Sequence, residues 1–257
     1  MIRLPDVARA LDELLQTRGV PDYANALNGV QVAHRGPVRG IAASVDLSLR
    51  TIDGAIATGA NLLLVHHGLF WGGLQPIVGA FHDRVRALIE NDIALYASHL
   101  PLDVHPVHGN NALLARELGL TPSGTFGRFR DLPIAVMGEC DIGTLELAQR
   151  TGAFANRHAT QLRTTPILEG RRTRRWGLCT GAGISAELFR EALELGLDTI
   201  IGGEGPHWSA VDAPDHHLVI MYAGHYATET VGIQSIATWT SERFQLPWTF
   251  IDAPTGF

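Results

Sequence analysis

Asn61-Leu-Leu-Leu-Val-His66-His67-Gly68-Leu-Phe-Trp71-Gly-Gly73 decides how this chain is read. An apolar, strand-like run delivers two adjacent histidines to its end, and a Gly-rich loop follows at once. Adjacent residues on a strand point to opposite faces. His66 and His67 are therefore awkward ligands for one ion inside a regular strand. Just past a strand end they can serve two neighbouring ions, or one ion and its surroundings. The pair is the first half of a candidate dinuclear metal site. Carboxylates and further histidine must come from elsewhere.

Two more segments supply them. In Ala94-Leu-Tyr-Ala-Ser-His99-Leu-Pro-Leu-Asp103-Val-His105 an apolar run again ends in His, and an Asp follows four residues later. Pro101 lacks an N–H, so this reads as a strand opening into a loop rather than a helical pair. In Gly224-His225-Tyr-Ala-Thr-Glu229 the same spacing carries no intervening Pro or Gly, and an apolar-rich run continues to Phe244. On a helix, His225 and Glu229 would share one face. Mixed imidazole and carboxylate donors suit zinc, iron or manganese. Most of the 12 histidines must be ordinary surface or core residues. One His at a strand end is usually structural, but three independent His/carboxylate sets at element ends favour a metal.

The 257 residues suffice for one large domain or two small ones, and an apolar content of 46% is ample for a core. A formal charge of −6 argues against a nucleic-acid-coating protein. The first residues form an amphipathic pattern (Val7, Ala10, Leu11, Leu14, Leu15) rather than a signal segment, and no apolar run approaches membrane-spanning length. Cys140 and Cys179 have no metal or disulfide spacing and read as reduced core residues of a cytosolic protein.

Strand and helix alternate along the chain. Helices are expected at 5–16, 49–58 (stopping at Gly59), 81–91, 142–151 and 185–195. Another, capped by Asn110 or Asn111, should run to Glu117 and stop at Gly119. Strands are expected at 40–45, 61–65, 93–98, 132–137, 176–179, 199–201 and 218–222. This is an α/β pattern with a largely parallel or mixed sheet. The looser stretch 120–131 reads as the boundary between an N-terminal half, residues 1–125, and a C-terminal half, residues 126–257. In open α/β sheets, ligands collect outside the carboxyl ends of strands. His66, His67, His99, Asp103 and His225 all fall at or just beyond such ends.

Other features compete for a role. Gly181-Ala-Gly183-Ile-Ser-Ala186 matches a variant dinucleotide fingerprint between a strand and a helix, with Glu204 at the end of the next strand. The motif alone is weak: a tight, closely packed turn is the main reading, dinucleotide binding the minority one, and a phosphate held on its N–H groups an intermediate reading. The basic cluster Arg171 to Arg175 is most simply a solvated turn, with a nucleotide or nucleic-acid contact as the minority reading. Asp215-His216-His217 follows Pro214 and reads as a surface loop. Glu204 and His207, in a Gly-rich loop, are candidate pocket-lining groups. Asp46 reads as a helix cap or nearby turn residue, with a pocket role as the minority reading.

Together these residues resemble the NIF-three-like family of dinuclear-metal hexamers, often labelled GTP cyclohydrolase type 2 homologues. The resemblance runs from Asn28-Gly-Val-Gln-Val32 through the His66-His67 segment, His99 to Asp103, Gly109-Asn-Asn111 and Thr199 to His207, to Gly224-His-Tyr-Ala-Thr-Glu229. It implies two similar α/β halves with mixed sheets and the metal site between them, in a toroid of six chains. Its metal ligands fall on His66, His67, Asp103, His225 and Glu229, with His99 a nearby second-shell or optional ligand. Gly68 departs from the Pro of many members, and Leu-Pro-Leu separates His99 from Asp103 where others are more polar. The chain is too short for the inserted domain of longer members.

On this reading the chain takes two divalent ions (zinc, iron or manganese), with Glu229 the candidate bridge because a carboxylate can offer one oxygen to each. Two ions about 3.5–4 Å apart can activate water and polarise a substrate oxygen. The expected function is a metal-dependent hydrolase of a C–N or phosphoester bond in a small nucleotide-like substrate, cytoplasmic and homohexameric, with no membrane or nucleic-acid partner. A metal storage or delivery protein, or a metal-stabilised interaction scaffold, would use the same ligands without catalysis.

Overall fold

The computed structural model describes all residues 1–257. In chain order the elements are α1 (Leu4–Leu15), β1 (Gly29–Val32), β2 (Ile41–Asp46), α2 (Leu49–Thr58), β3 (Leu62–His67), α3 (Gly79–Glu90), β4 (Ala94–Ala97), α4 (Leu100–Asp103) and α5 (Asn110–Glu117). There follow β5 (Gly124–Phe129), β6 (Leu132–Gly143), α6 (Thr144–Arg157), β7 (Arg163–Thr164), β8 (Arg172–Cys179) and α7 (Ala186–Glu194). The chain closes with β9 (Thr199–Gly202), α8 (His207–Asp215), β10 (Val219–Tyr222), α9 (His225–Phe244) and β11 (Trp248–Phe250). The protein is mixed α/β with two mixed sheets. No helix is long and apolar enough to cross a membrane.

One compact unit comprises Met1–Leu102 and Gly232–Ala253. Its sheet runs β1-β4-β3-β2-β11, antiparallel at β1/β4 and parallel elsewhere. β2, β3 and β4 are buried along almost their whole length, as parallel strands covered on both faces must be. Ile52, Leu63, Leu88 and Leu95 share one core cluster of this unit. Ser48 caps α2 in a reciprocal pair with Thr51, and Gly59 ends it in the left-handed region.

The other unit comprises Asp103–Val231 and Pro254–Phe257. Its sheet runs β5-β6-β8-β9-β10-β7, with β8, β9 and β10 parallel and the rest antiparallel. Side chains alternate across it. Trp176, Leu178, Ile201 and Met221 face a cluster with Leu114, Leu147 and Phe154, while Cys179, Ile200 and Ile220 face Leu188, Phe189 and Ala213.

Several expectations change. The units do not divide near residue 125. Residues 103–125 belong with the second unit, where α5 packs on β6 and β8. Residues 232–253 belong with the first, because β11 pairs with β2. Asp103 therefore leaves the N-terminal half. The loose stretch 120–131 contains β5. Its glycines are packing devices: a Cβ on Gly127 would meet Leu188, and one on Gly124 would meet Met137. Arg172 to Arg175 lie within β8, not in a turn. Asp198 accepts the backbone N–H groups of Arg174 and Arg175, at 2.8 and 2.9 Å. Pro214 lies inside α8, so Asp215 ends a helix, with His216 and His217 just beyond it. Cys140 and Cys179 are both free, and Cys179 is buried.

Candidate metal centre

β3 runs two residues further than its apolar stretch suggests, so His66 and His67 are its last residues rather than its sequel. Their rings nonetheless stand 4.6 Å apart, tilted by 50°. His66 is buried, and its Nδ1 lies 2.8 Å from the Ser98 carbonyl. A carbonyl only accepts, so Nδ1 carries the proton and the lone pair of the neutral ring sits on Nε2. His67 Nδ1 lies 2.8 Å from Asp46 Oδ1 at the end of β2. Asp46 thus orients an imidazole rather than capping a helix.

His99 follows β4 and precedes α4. The segment does not simply open into a loop, because α4 is a single helical turn that accepts Pro101 near its start. His99 Nδ1 lies 2.9 Å from Asp22 Oδ1. The buried Asp22 carboxylate also accepts from Tyr23 N–H, Asn28 Nδ2 and Leu100 N–H, at 2.7, 2.8 and 2.9 Å. Burial alone would raise the Asp22 carboxyl, but His99, Asn28 and the Tyr23 N–H hold it below the usual carboxylate range. His66, His67 and His99 come together, with one ligand atom of each within 4.8 Å of the others.

The second unit assembles its own set. α9 begins at His225 and, as the four-residue spacing predicts, brings His225 and Glu229 to one face, with Nε2 3.2 Å from Glu229 Oε2. His225 Nδ1 lies 2.8 Å from Glu204 Oε1. Burial would lower the His225 pKa, yet the two carboxylates outweigh it and raise it to about 9. Asp103 is buried, and Asn110 Nδ2 donates to its Oδ1 at 2.8 Å. Asn110 and Asn111 are not caps; Gly109 holds that position. Asn111 instead accepts the Thr180 N–H at 2.9 Å and donates to the Ile134 carbonyl at 2.8 Å.

The Gly181 turn proves to be a packing device. Gly181 has φ +60°, and a Cβ there would overlap Glu229 Oε1. Its N–H donates to Thr228 Oγ1 at 3.0 Å, while the N–H groups of Gly183 and Ser185 go to backbone carbonyls. Those donors are spent within the protein and hold no phosphate. Glu204 N–H donates to the Gly181 carbonyl at 2.9 Å, locking the two Gly-rich loops together. Glu204 thus positions His225, while His207 is an exposed residue opening α8. Gly68 has a local reason as well: Gln31 occupies the space a Cβ would need, and its Oε1 accepts the Leu69 N–H at 2.7 Å.

All four candidate histidines thus place Nδ1 against an acceptor, with Nε2 on the far side of the ring. That pattern is characteristic of metal-ligating imidazoles, whose second nitrogen is fixed by a carboxylate or carbonyl. With two buried carboxylates, the donor set fits a borderline divalent cation. The sequence matches the Duf34/NIF3 (NGG1p interacting factor 3) family over residues 2–255.

The chain belongs to the Duf34/NIF3 family.

Among relatives in this family, a GTP cyclohydrolase 1 type 2 homolog of Deinococcus radiodurans is 39% identical, covering 98% of this chain and 93% of the relative. A protein of the same description from Treponema pallidum is 36% identical, covering 90% and 91%. The solved structure of protein ybgI, described as of unknown function, superposes with a TM-score of 0.89 at 34% identity, covering 100% of both chains. Sequence reading had singled out the histidines, Asp103 and Glu229 of this Duf34/NIF3 chain as candidates. It missed Asp22 and Ser98 and gave Asn111 and Asp46 mainly cap or turn roles, since their partners lie far away along the chain.

Proposed function

We propose that His66, His67, Asp103, His225 and Glu229 hold two divalent cations, and that the chain is a hydrolase acting on a C–N or phosphoester bond of a small nucleotide-like substrate. The observation that carries the reading is the shared use of Nδ1. His66, His67, His99 and His225 each give it to a fixed acceptor, at 2.8 to 2.9 Å. A bound metal pair would supply Lewis acidity toward a substrate oxygen and lower the pKa of a coordinated water toward neutrality. Glu229 would be the bridging ligand, since a carboxylate has two oxygens to offer. Glu204 and Asp46 fix the rings of His225 and His67. His99, tied to the saturated Asp22 carboxylate, is a rigid neighbour or optional ligand. The substrate class follows the description of the relatives as GTP cyclohydrolase homologs. The proposed assembly is a cytosolic homohexamer.

The test is a panel of nucleotides, phosphoesters and cyclic amides, offered to zinc-, manganese- and iron-loaded protein. Turnover that Glu229→Gln abolishes supports the hydrolase. No turnover across the panel, with rapid loss of both ions to a competing chelator, points instead to metal storage or delivery.

A further inference from the structure

Two imidazoles of the first unit are walled by aromatic rings. Trp71 stands edge-on to both, its centroid 4.7 Å from that of His99 at 81° and 5.7 Å from that of His67 at 78°. Tyr23 lies 6.0 Å from His99 and 6.2 Å from Trp71, tilted by 48° and 58°. Both aromatics are held through the backbone. The Tyr23 N–H donates to Asp22, the carboxylate that also holds His99, and Asn25 Nδ2 donates to the Trp71 carbonyl at 2.9 Å.

This arrangement is not explained by core packing. Tyr23 is 50% exposed although its backbone is tied to a buried carboxylate. Trp71 takes its pose without an acceptor for its buried Nε1–H, a cost that edge contacts with two imidazoles must offset. Residues 19–31 and 66–78, which carry these side chains, contain no Lys or Arg. The wall therefore offers π faces and edges but no cationic group for a phosphate. Aromatic surfaces of this kind hold planar rings whatever their hydrogen-bonding edges, because every heterocyclic base has a π face.

We propose that Tyr23 and Trp71 form a ring subsite beside the metal ligands, which takes the planar nitrogen heterocycle of the substrate. The subsite deepens the hydrolase reading and rests on it for its link to chemistry, but ring binding is measurable without turnover. Tyr23 supplies the stacking face. Trp71 closes the corner and sets the depth at which the ring stops before His67 and His99.

The experiment is calorimetric titration of zinc-loaded protein with guanosine 5′-monophosphate and with ribose 5-phosphate, which lacks the ring. The nucleotide should bind tighter by on the order of tenfold or more. Tyr23→Leu should bring it down to the level of ribose 5-phosphate with zinc content unchanged, and Tyr23→Phe should keep the preference. Equal binding of the two probes by wild type, including no binding of either, overturns the proposal. So does a Tyr23→Leu protein that keeps the preference. Ring preference without turnover on any substrate leaves the subsite standing and removes the hydrolase. Turnover without ring preference does the reverse.

Discussion

Glu204 and Glu229 grip opposite nitrogens of one imidazole: His225 Nδ1 lies 2.8 Å from Glu204 Oε1, and Nε2 lies 3.2 Å from Glu229 Oε2. Glu229 is a proposed metal ligand, whereas Glu204 acts only through His225. Glu204→Ala should therefore weaken metal binding by roughly 10–100-fold, the usual effect of losing such an orienting partner, without removing a ligand. Competition against a chelator of known affinity measures this. An unchanged affinity would show that Glu204 is an ordinary surface acid.

The sequence displayed the candidate ligands better than their supports. His66-His67, His99 to Asp103, and His225 to Glu229 are short patterns at element ends, visible as local runs. The supports are long-range contacts: Asp22 meets His99 across 77 residues, and Asn111 meets Thr180 across 69. No local periodicity announces such pairs. In the fold, the apolar runs marked β2, β3, β4, β9 and β10 because buried parallel strands need little else. β1, β7 and β11 are short edge strands whose pairing is decided by tertiary context. The division of units was illegible for the same reason, since it depends on β11 returning to β2.

Glu229 is almost fully buried, at 3% exposure. Glu229→Gln keeps its volume but removes the charge and one strong ligand oxygen. The expected protein is folded, by circular dichroism, and binds at least one metal ion fewer than wild type. Full metal content in the variant would remove Glu229 from the ligand set.

Gly181 is fixed twice over, by a φ of +60° and by Glu229 in the place of a side chain. Gly181→Ala should cost on the order of 1–3 kcal/mol from the left-handed backbone alone. The displaced Glu229 should also lower metal content. Denaturant unfolding with metal analysis reads both. A variant as stable and as well loaded as wild type would contradict the packing described.

The metal-free protein should also show a proton-linked stability. His225 has its pKa raised from 6.5 to about 9 by Glu229 and Glu204, against the opposing effect of burial. A raised folded-state value means the protonated ring is worth more in the folded chain. The contribution is complete below about pH 6.5 and is lost as pH rises through about 9. Thermal melts of chelator-treated protein across that window should fall with pH, and His225→Gln should flatten this part of the profile. An identical fall in the variant would place the linkage elsewhere.

The central claim is that one chain holds a pair of divalent cations through three histidines and two carboxylates. Elemental analysis of folded protein, loaded separately with zinc, manganese and iron and then freed of excess, tests it most directly. The account predicts about two ions per chain with at least one of these metals. It also predicts a clear drop when His66, Asp103 or His225 is replaced singly by alanine. Folded protein that retains none of the three metals, or loses nothing on those substitutions, would contradict it.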